Sequence, residues 1–172
     1  KEKTVESTSL DIKKIVKGNP NLKETFAFRL TPEKDTFPMP DGSKASAEVT
    51  IEDSGDASFG TWSYTKPGDY TYQVKEVAGS NSHYTYDQTV YTITDSVILN
   101  DAGDLEVSRS VQDDSESAVE GTLNFTNKFT AKPVETPKLG VSKKVVGNPS
   151  KDETFIFEMR PLVLPDGYNG PG

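Results

Sequence analysis

The 172-residue chain has no cysteine, one histidine and one tryptophan. Without thiols, neither a disulfide framework nor a thiolate metal site is available. The single histidine, His83 in Asn81-Ser82-His83-Tyr84, has no catalytic partner nearby in sequence and reads as a loop or strand-start residue, so a turnover enzyme is not expected. Apolar runs are only a few residues long, which excludes a membrane span, and Lys1-Glu2-Lys3 opens without the apolar stretch of a secretory signal. An export signal is therefore expected outside these residues. Clustered Lys and Arg are also missing: the formal net charge is −8, the wrong sign for a phosphate backbone, and nucleic acid is not a partner. The acidic stretches Asp53 to Asp56 and Asp113-Asp114-Ser115-Glu116 match no established calcium loop and read as solvated turns. No cofactor and no metal are expected. Asn124-Phe125-Thr126 matches a glycosylation acceptor but falls inside a strand pattern, where it is a coincidence.

What remains is a chain rich in Thr, Val, Tyr and Phe, with polar turns at short intervals. Period-two alternation predicts strands over 9–16, 24–31, 46–52, 57–64, 69–78, 83–98, 104–112 and 121–129. Turn residues separate them at Asn19-Pro20, Pro40-Asp41-Gly42, Asp53-Ser54-Gly55-Asp56, Lys66-Pro67-Gly68-Asp69 and Asn100-Asp101-Ala102-Gly103. Many short strands at this spacing imply an all-β, immunoglobulin-like sandwich.

The chain also repeats itself. Residues 10–30 (LDIKKIVKGNPNLKETFAFRL) align without a gap on 139–159 (LGVSKKVVGNPSKDETFIFEM) at an offset of 129, with ten of 21 positions identical. Met39-Pro40-Asp41-Gly42 is echoed by Leu164-Pro165-Asp166-Gly167. The expected organisation is an N-terminal tail (1–8), one complete module (9–130), a short Pro-bearing linker (131–138) and the truncated start of a second module (139–172). Two strands of a second copy expose too much apolar surface to fold alone. They are expected to lean on the first module or to exchange strands with another molecule.

Three polar residues interrupt the apolar rows of the complete module. The first strand places Leu10, Ile12, Lys14 and Val16 on one face, and the last places Leu123, Phe125, Asn127 and Phe129. A middle strand places Tyr70, Tyr72, Val74, Glu76 and Ala78 together. Any one of these polar groups alone could snorkel to water as a strand-end residue. Three in one small core are tolerable only if they meet, because an unpaired buried charge costs several kcal/mol. Desolvation favours the neutral amine, which is a nucleophile. With a protonated Glu76 hydrogen-bonded to the carboxamide oxygen and relaying protons, Lys14 can attack Asn127 and expel ammonia, leaving an Nζ–Cγ amide. The second copy repeats the pattern in Leu139, Val141, Lys143 and Val145, which makes Lys143 the candidate crosslink lysine there, whereas Lys13 aligns with Ser142.

These pieces together resemble a known family. The opening Leu10-Asp11-Ile12-Lys13-Lys14, the box Tyr70-Thr71-Tyr72-Gln73-Val74-Lys75-Glu76, Tyr84-Thr85-Tyr86-Asp87 with Tyr91-Thr92-Ile93, and the closing Phe125-Thr126-Asn127-Lys128-Phe129 are similar to the streptococcal-type pilin domains with intramolecular isopeptide bonds. Those domains are related to the collagen-adhesin B-type repeats of Gram-positive surface proteins. The resemblance implies a Lys14–Asn127 bond promoted by Glu76 and an extracellular, cell-wall-bound stalk or shaft. Its partners would be neighbouring modules of the same chain and other pilin subunits joined through sortase. It brings neither an LPXTG-like sorting signal nor a pilin-motif lysine. Tension entering near residue 10 and leaving near residue 129 would then pass through the amide and bypass most of the module. The alternative is a ligand-binding adhesin domain for a host protein or glycan, with Trp62, Tyr84, Tyr86 and Tyr91 as an exposed aromatic platform; packing inside the sandwich is the plainer role for those rings.

Overall fold

The computed structural model describes residues 3–18, 20, 23–42, 45–148 and 150–160. The Leu164-Pro165-Asp166-Gly167 echo and the Asn19 half of the first predicted turn lie outside the described residues. The chain divides into two units, Lys1–Val134 and Glu135–Gly172.

The first unit is an immunoglobulin-like β-sandwich. Its strands are β1 (Val5–Glu6), β2 (Asp11–Lys17), β3 (Thr25–Pro32), β4 (Ala47–Glu52), β5 (Gly55–Ser58), β6 (Ser63–Tyr64), β7 (Gly68–Val77), β8 (Tyr84–Thr85), β9 (Val90–Leu99), β10 (Leu105–Gln112) and β11 (Leu123–Phe129). One sheet has the order β10-β9-β7-β3-β4 and the other β5-β2-β11-β8, while β1 and β6 form a short ribbon. Among the described residues all strand pairings are antiparallel except one, the parallel pair of β2 and β11 in which Phe125 stands opposite Lys14 and Asn127 opposite Val16. The two sheets meet through their alternate residues, with Phe28 of one against Phe125 of the other at 4.9 Å between ring centres and Tyr91 edge-on to Phe125 at 5.2 Å.

Two predicted strands are split. The 57–64 run breaks over residues 59–62, where Gly60 adopts φ 76°, and its end leaves the sheet to pair with β1. The 83–98 run breaks over residues 86–89, and the break resets the parity: Tyr84 is buried before it, and Tyr91 and Ile93 after it. The predicted tail contributes β1, and the Ser7 hydroxyl accepts the backbone N–H of Trp62 at 3.1 Å.

Gly18 follows β2 at φ 100°, and a Cβ built on it would lie 2.6 Å from the carbonyl oxygen of Phe129. Both the left-handed backbone and the contact exclude a side chain. We therefore expect Gly18→Ala to cost about 1–3 kcal/mol, read as a lower urea midpoint with an unchanged slope.

In the second unit, the described residues between 135 and 160 contain no strand and their side chains are exposed, including Leu139, Val141, Val146 and Ile156. No helix among the described residues is long and apolar enough to cross a membrane.

Candidate functional site: a buried lysine, carboxyl and carboxamide

The three polar residues picked out by strand parity meet. Lys14 of β2 and Asn127 of β11 are fully buried, and the side chain of Glu76, on β7 in the facing sheet, is equally dry. Lys14 Nζ donates to Glu76 Oε2 at 2.7 Å, and Asn127 Nδ2 donates to Glu76 Oε1 at 2.6 Å. One carboxyl group therefore bridges the amine and the carboxamide. Lys14 is also roofed by rings, with Nζ 4.5 Å from the centre of Phe26 and 5.7 Å from that of Phe28. Burial pushes the Lys14 amine below its ordinary value, against the pull of Glu76 and of the more distant Asp87 carboxylate.

The carboxamide faces the other way from the expectation that Glu76 binds its oxygen. Asn127 Oδ1 accepts the backbone N–H of Asp87 at 2.7 Å. A backbone N–H can only donate, so it fixes which end of the amide it meets and turns Nδ2 toward Glu76. Asp87, which sequence reasoning passed over as one more residue of an aromatic motif, is held in place by its own side chain. Its Oδ1 accepts Thr89 N at 2.9 Å and its Oδ2 accepts Thr126 N at 2.6 Å. Burial alone would raise the Asp87 carboxyl; the bonds from Thr89 and Thr126 and the charge of Lys14 outweigh it and hold the group below the usual carboxylate range. A surface cavity of about 330 Å³ abuts the site, with Glu76 and Asp87 both in its wall.

A second buried polar cluster also escaped the sequence reading. Asp95 of β9 is fully buried and takes a two-pronged ion pair from Arg109 of β10, Nε to Oδ1 and Nη2 to Oδ2, both at 2.7 Å. Tyr64 OH donates to Asp95 Oδ2 at 2.5 Å and accepts from Trp62 Nε1, while Arg109 Nη1 reaches the carbonyl of Thr8 at 2.8 Å. Burial and the Asp95 hydrogen bond push the Tyr64 hydroxyl far above its ordinary value, and burial pushes Tyr72 up to about 12.

The other sequence candidates separate. Lys13 is solvent-facing, 3.8 Å from Asp56. Lys143 lies in the second unit with Nζ 4.6 Å from the centre of Phe155, the position that corresponds to Phe26. His83 faces the carbonyl of Thr130 through Nδ1 at 3.1 Å and stacks on Phe129. Trp62, Tyr84 and Tyr91 are buried and Tyr86 partly so; these rings form no exposed platform. In the acidic loops, Asp53 Oδ1 accepts the N–H of Glu24, just before β3 and distant in sequence, and Asp113 Oδ1 closes a turn by accepting Ser115 N and Ser117 N.

The family of Spy0128-like isopeptide containing domains, FctA, matches residues 10–130, which takes in every strand from β2 to β11. The chain belongs to the FctA family. Among solved structures the FctA domain is similar to the major pilin from Streptococcus pyogenes, at 21% identity and a TM-score of 0.47, over 71% of this chain and 50% of the pilin. It is also similar to the major pilin protein T-13 from Streptococcus pyogenes serotype GAS131465, at 18% identity and a TM-score of 0.48, over 75% of this chain and 54% of that one. The T3.2 pilin from serotype GAS13637 gives 20% identity and a TM-score of 0.45, with 73% and 54% covered. The chain thus spans about half the length of the pilins it matches. No curated protein matches it in sequence.

Proposed function

We propose that residues 9–130 are a structural module of a pilus-type fibre at a bacterial cell surface, closed by a self-formed amide between Lys14 and Asn127. The observation that carries this reading is the shared carboxyl: the amine and the carboxamide are hydrogen-bonded to the two oxygens of one buried glutamate. The chemistry balances without an outside reagent. The neutral Lys14 amine adds to Asn127 Cγ and the Nζ–Cγ bond forms; Glu76 takes a proton from Nζ and passes one to Nδ2; the Cγ–Nδ2 bond breaks and ammonia leaves. The reaction runs once per module, so the module is a structural part rather than a turnover enzyme. Linker 131–138 joins it to the second copy at 139–172, where Lys143 is the corresponding nucleophile. Its place over Phe155 at 4.6 Å repeats that of Lys14 over Phe26 at 4.5 Å, 129 positions earlier. Neighbouring modules of the same chain, and further subunits joined through sortase, are the partners of such a fibre.

Intact mass tests the reading. The parent chain is expected to be lighter than its sequence by one ammonia, and Lys14→Ala, Glu76→Ala and Asn127→Ala to have their full sequence masses. Lys143→Ala is expected to retain the deficit of the parent. A parent at full mass would remove the crosslink and leave a plain sandwich module.

A further inference from the structure

Asp87 is a loop residue beside the reacting atoms, and the proton relay through Glu76 gives it no part. When an amine adds to Cγ of Asn127, negative charge gathers on Oδ1, and the Asp87 N–H already points at that atom from 2.7 Å. A donor fixed in advance at the place where charge develops stabilises the addition without reorganising. Loop backbone holds such a position only if something ties it down. Here the Asp87 carboxylate does so on both sides, closing a turn on Thr89 N and crossing to Thr126 N, the residue next to Asn127. One side chain thereby sets the separation between its own N–H and the Asn127 oxygen.

We infer that Asp87 is a positioning residue of the crosslinking reaction, clamping its loop to Thr126 so that its backbone N–H holds and polarises the Asn127 carbonyl oxygen during attack by Lys14. This rests on the Lys14–Asn127 reading above. A role through charge alone has the opposite sign. The Asp87 carboxylate favours the ammonium form of Lys14, so a neutral side chain at 87 would then speed the reaction. Positioning requires the neutral variant to be slower, because a carboxamide cannot accept both the Thr89 and the Thr126 N–H groups with the same geometry.

The experiment is cell-free synthesis of the full chain, with samples quenched in acid denaturant at intervals and weighed intact. Asp87→Asn and Asp87→Ala are expected to lose ammonia about 10- to 100-fold more slowly than the parent, in line with the weight of one such donor. Near-UV circular dichroism of the same substitutions in a Glu76→Ala background reports whether they fold. A measurement that leaves position 87 untouched stands beside it. The Asp87 amide proton should exchange slowly in the parent and at least about tenfold faster in Asn127→Ala, since an N–H that has lost its partner is open to solvent. A folded Asp87→Asn that loses ammonia at the parent's rate or faster overturns the inference and leaves the crosslink intact. So does equal exchange of the Asp87 amide in the two proteins. A parent that never loses ammonia overturns the crosslink and this inference together.

Discussion

Asn127→Ala is expected to melt about 20 °C below the parent, and Glu76→Ala lower still. The two variants share one loss. In the chain-entropy picture, a covalent clip around a loop of roughly 100 residues stabilises by about 4.7 kcal/mol, and Lys14 and Asn127 lie 113 positions apart. For a domain of this size 1 kcal/mol moves the melting temperature by roughly 4 °C, which gives the first figure. The second variant loses more. Asn127→Ala keeps the 2.7 Å pair between Lys14 and Glu76, whereas Glu76→Ala leaves an amine among Phe26 and Phe28 with nothing to receive its protons. Removing one partner of a buried pair costs about 3–5 kcal/mol. Scanning calorimetry of the parent and both variants checks the ordering, and a reductant should alter none of the three because the chain has no cysteine. Equal melting temperatures for parent and Asn127→Ala would mean that the ends of the module are not joined.

Arg109→Leu should be as damaging as any substitution far from the crosslink. Asp95 is fully buried, and Arg109 supplies two of its hydrogen bonds and its counter-charge. Without the guanidinium, the carboxylate retains only the Tyr64 hydroxyl, and the Thr8 carbonyl loses its link to β10. We expect a loss of about 3–5 kcal/mol, measured by urea unfolding in an Asn127→Ala background so that the covalent clip does not mask it. The double variant Arg109→Leu with Asp95→Leu should recover much of the loss, since two apolar groups leave no buried charge. If the double variant is as unstable as the single one, the damage comes from packing around Trp62, whose ring lies 4.5 Å from the guanidinium, rather than from a stranded carboxylate.

That Lys14, Glu76 and Asn127 are buried together was legible because each stands alone among apolar neighbours on a strand whose parity is unbroken from end to end. Asp95 carries the same signature in the row Tyr91, Ile93, Asp95, Val97. It went unread because residues 83–98 look like one strand: counted from Tyr84, the even positions face the core, and only the break at 86–89 moves Asp95 inward. Sequence likewise picks out Asn127 but not which end of its amide faces Glu76. That is decided by the Asp87 N–H, a backbone group on a loop 40 positions away, whose direction leaves no trace in local patterning. The β1–β6 ribbon was hidden for a similar reason: two residues are too short to show a period.

The parallel pairing of β2 with β11 makes the first and last long strands of the module immediate neighbours that run the same way. A pull on the start of β2 and the end of β11 therefore slides them past each other in shear, loading their hydrogen bonds together instead of unzipping them singly. A Lys14–Asn127 amide, as proposed above, would leave the stretch between them no slack to pay out. Fully drawn out, those 113 positions would add roughly 370–400 Å, at about 3.3–3.6 Å per residue. If the proposed amide forms, a fibre of such modules would keep its length under load, its span set by how many modules it contains rather than by how hard it is pulled.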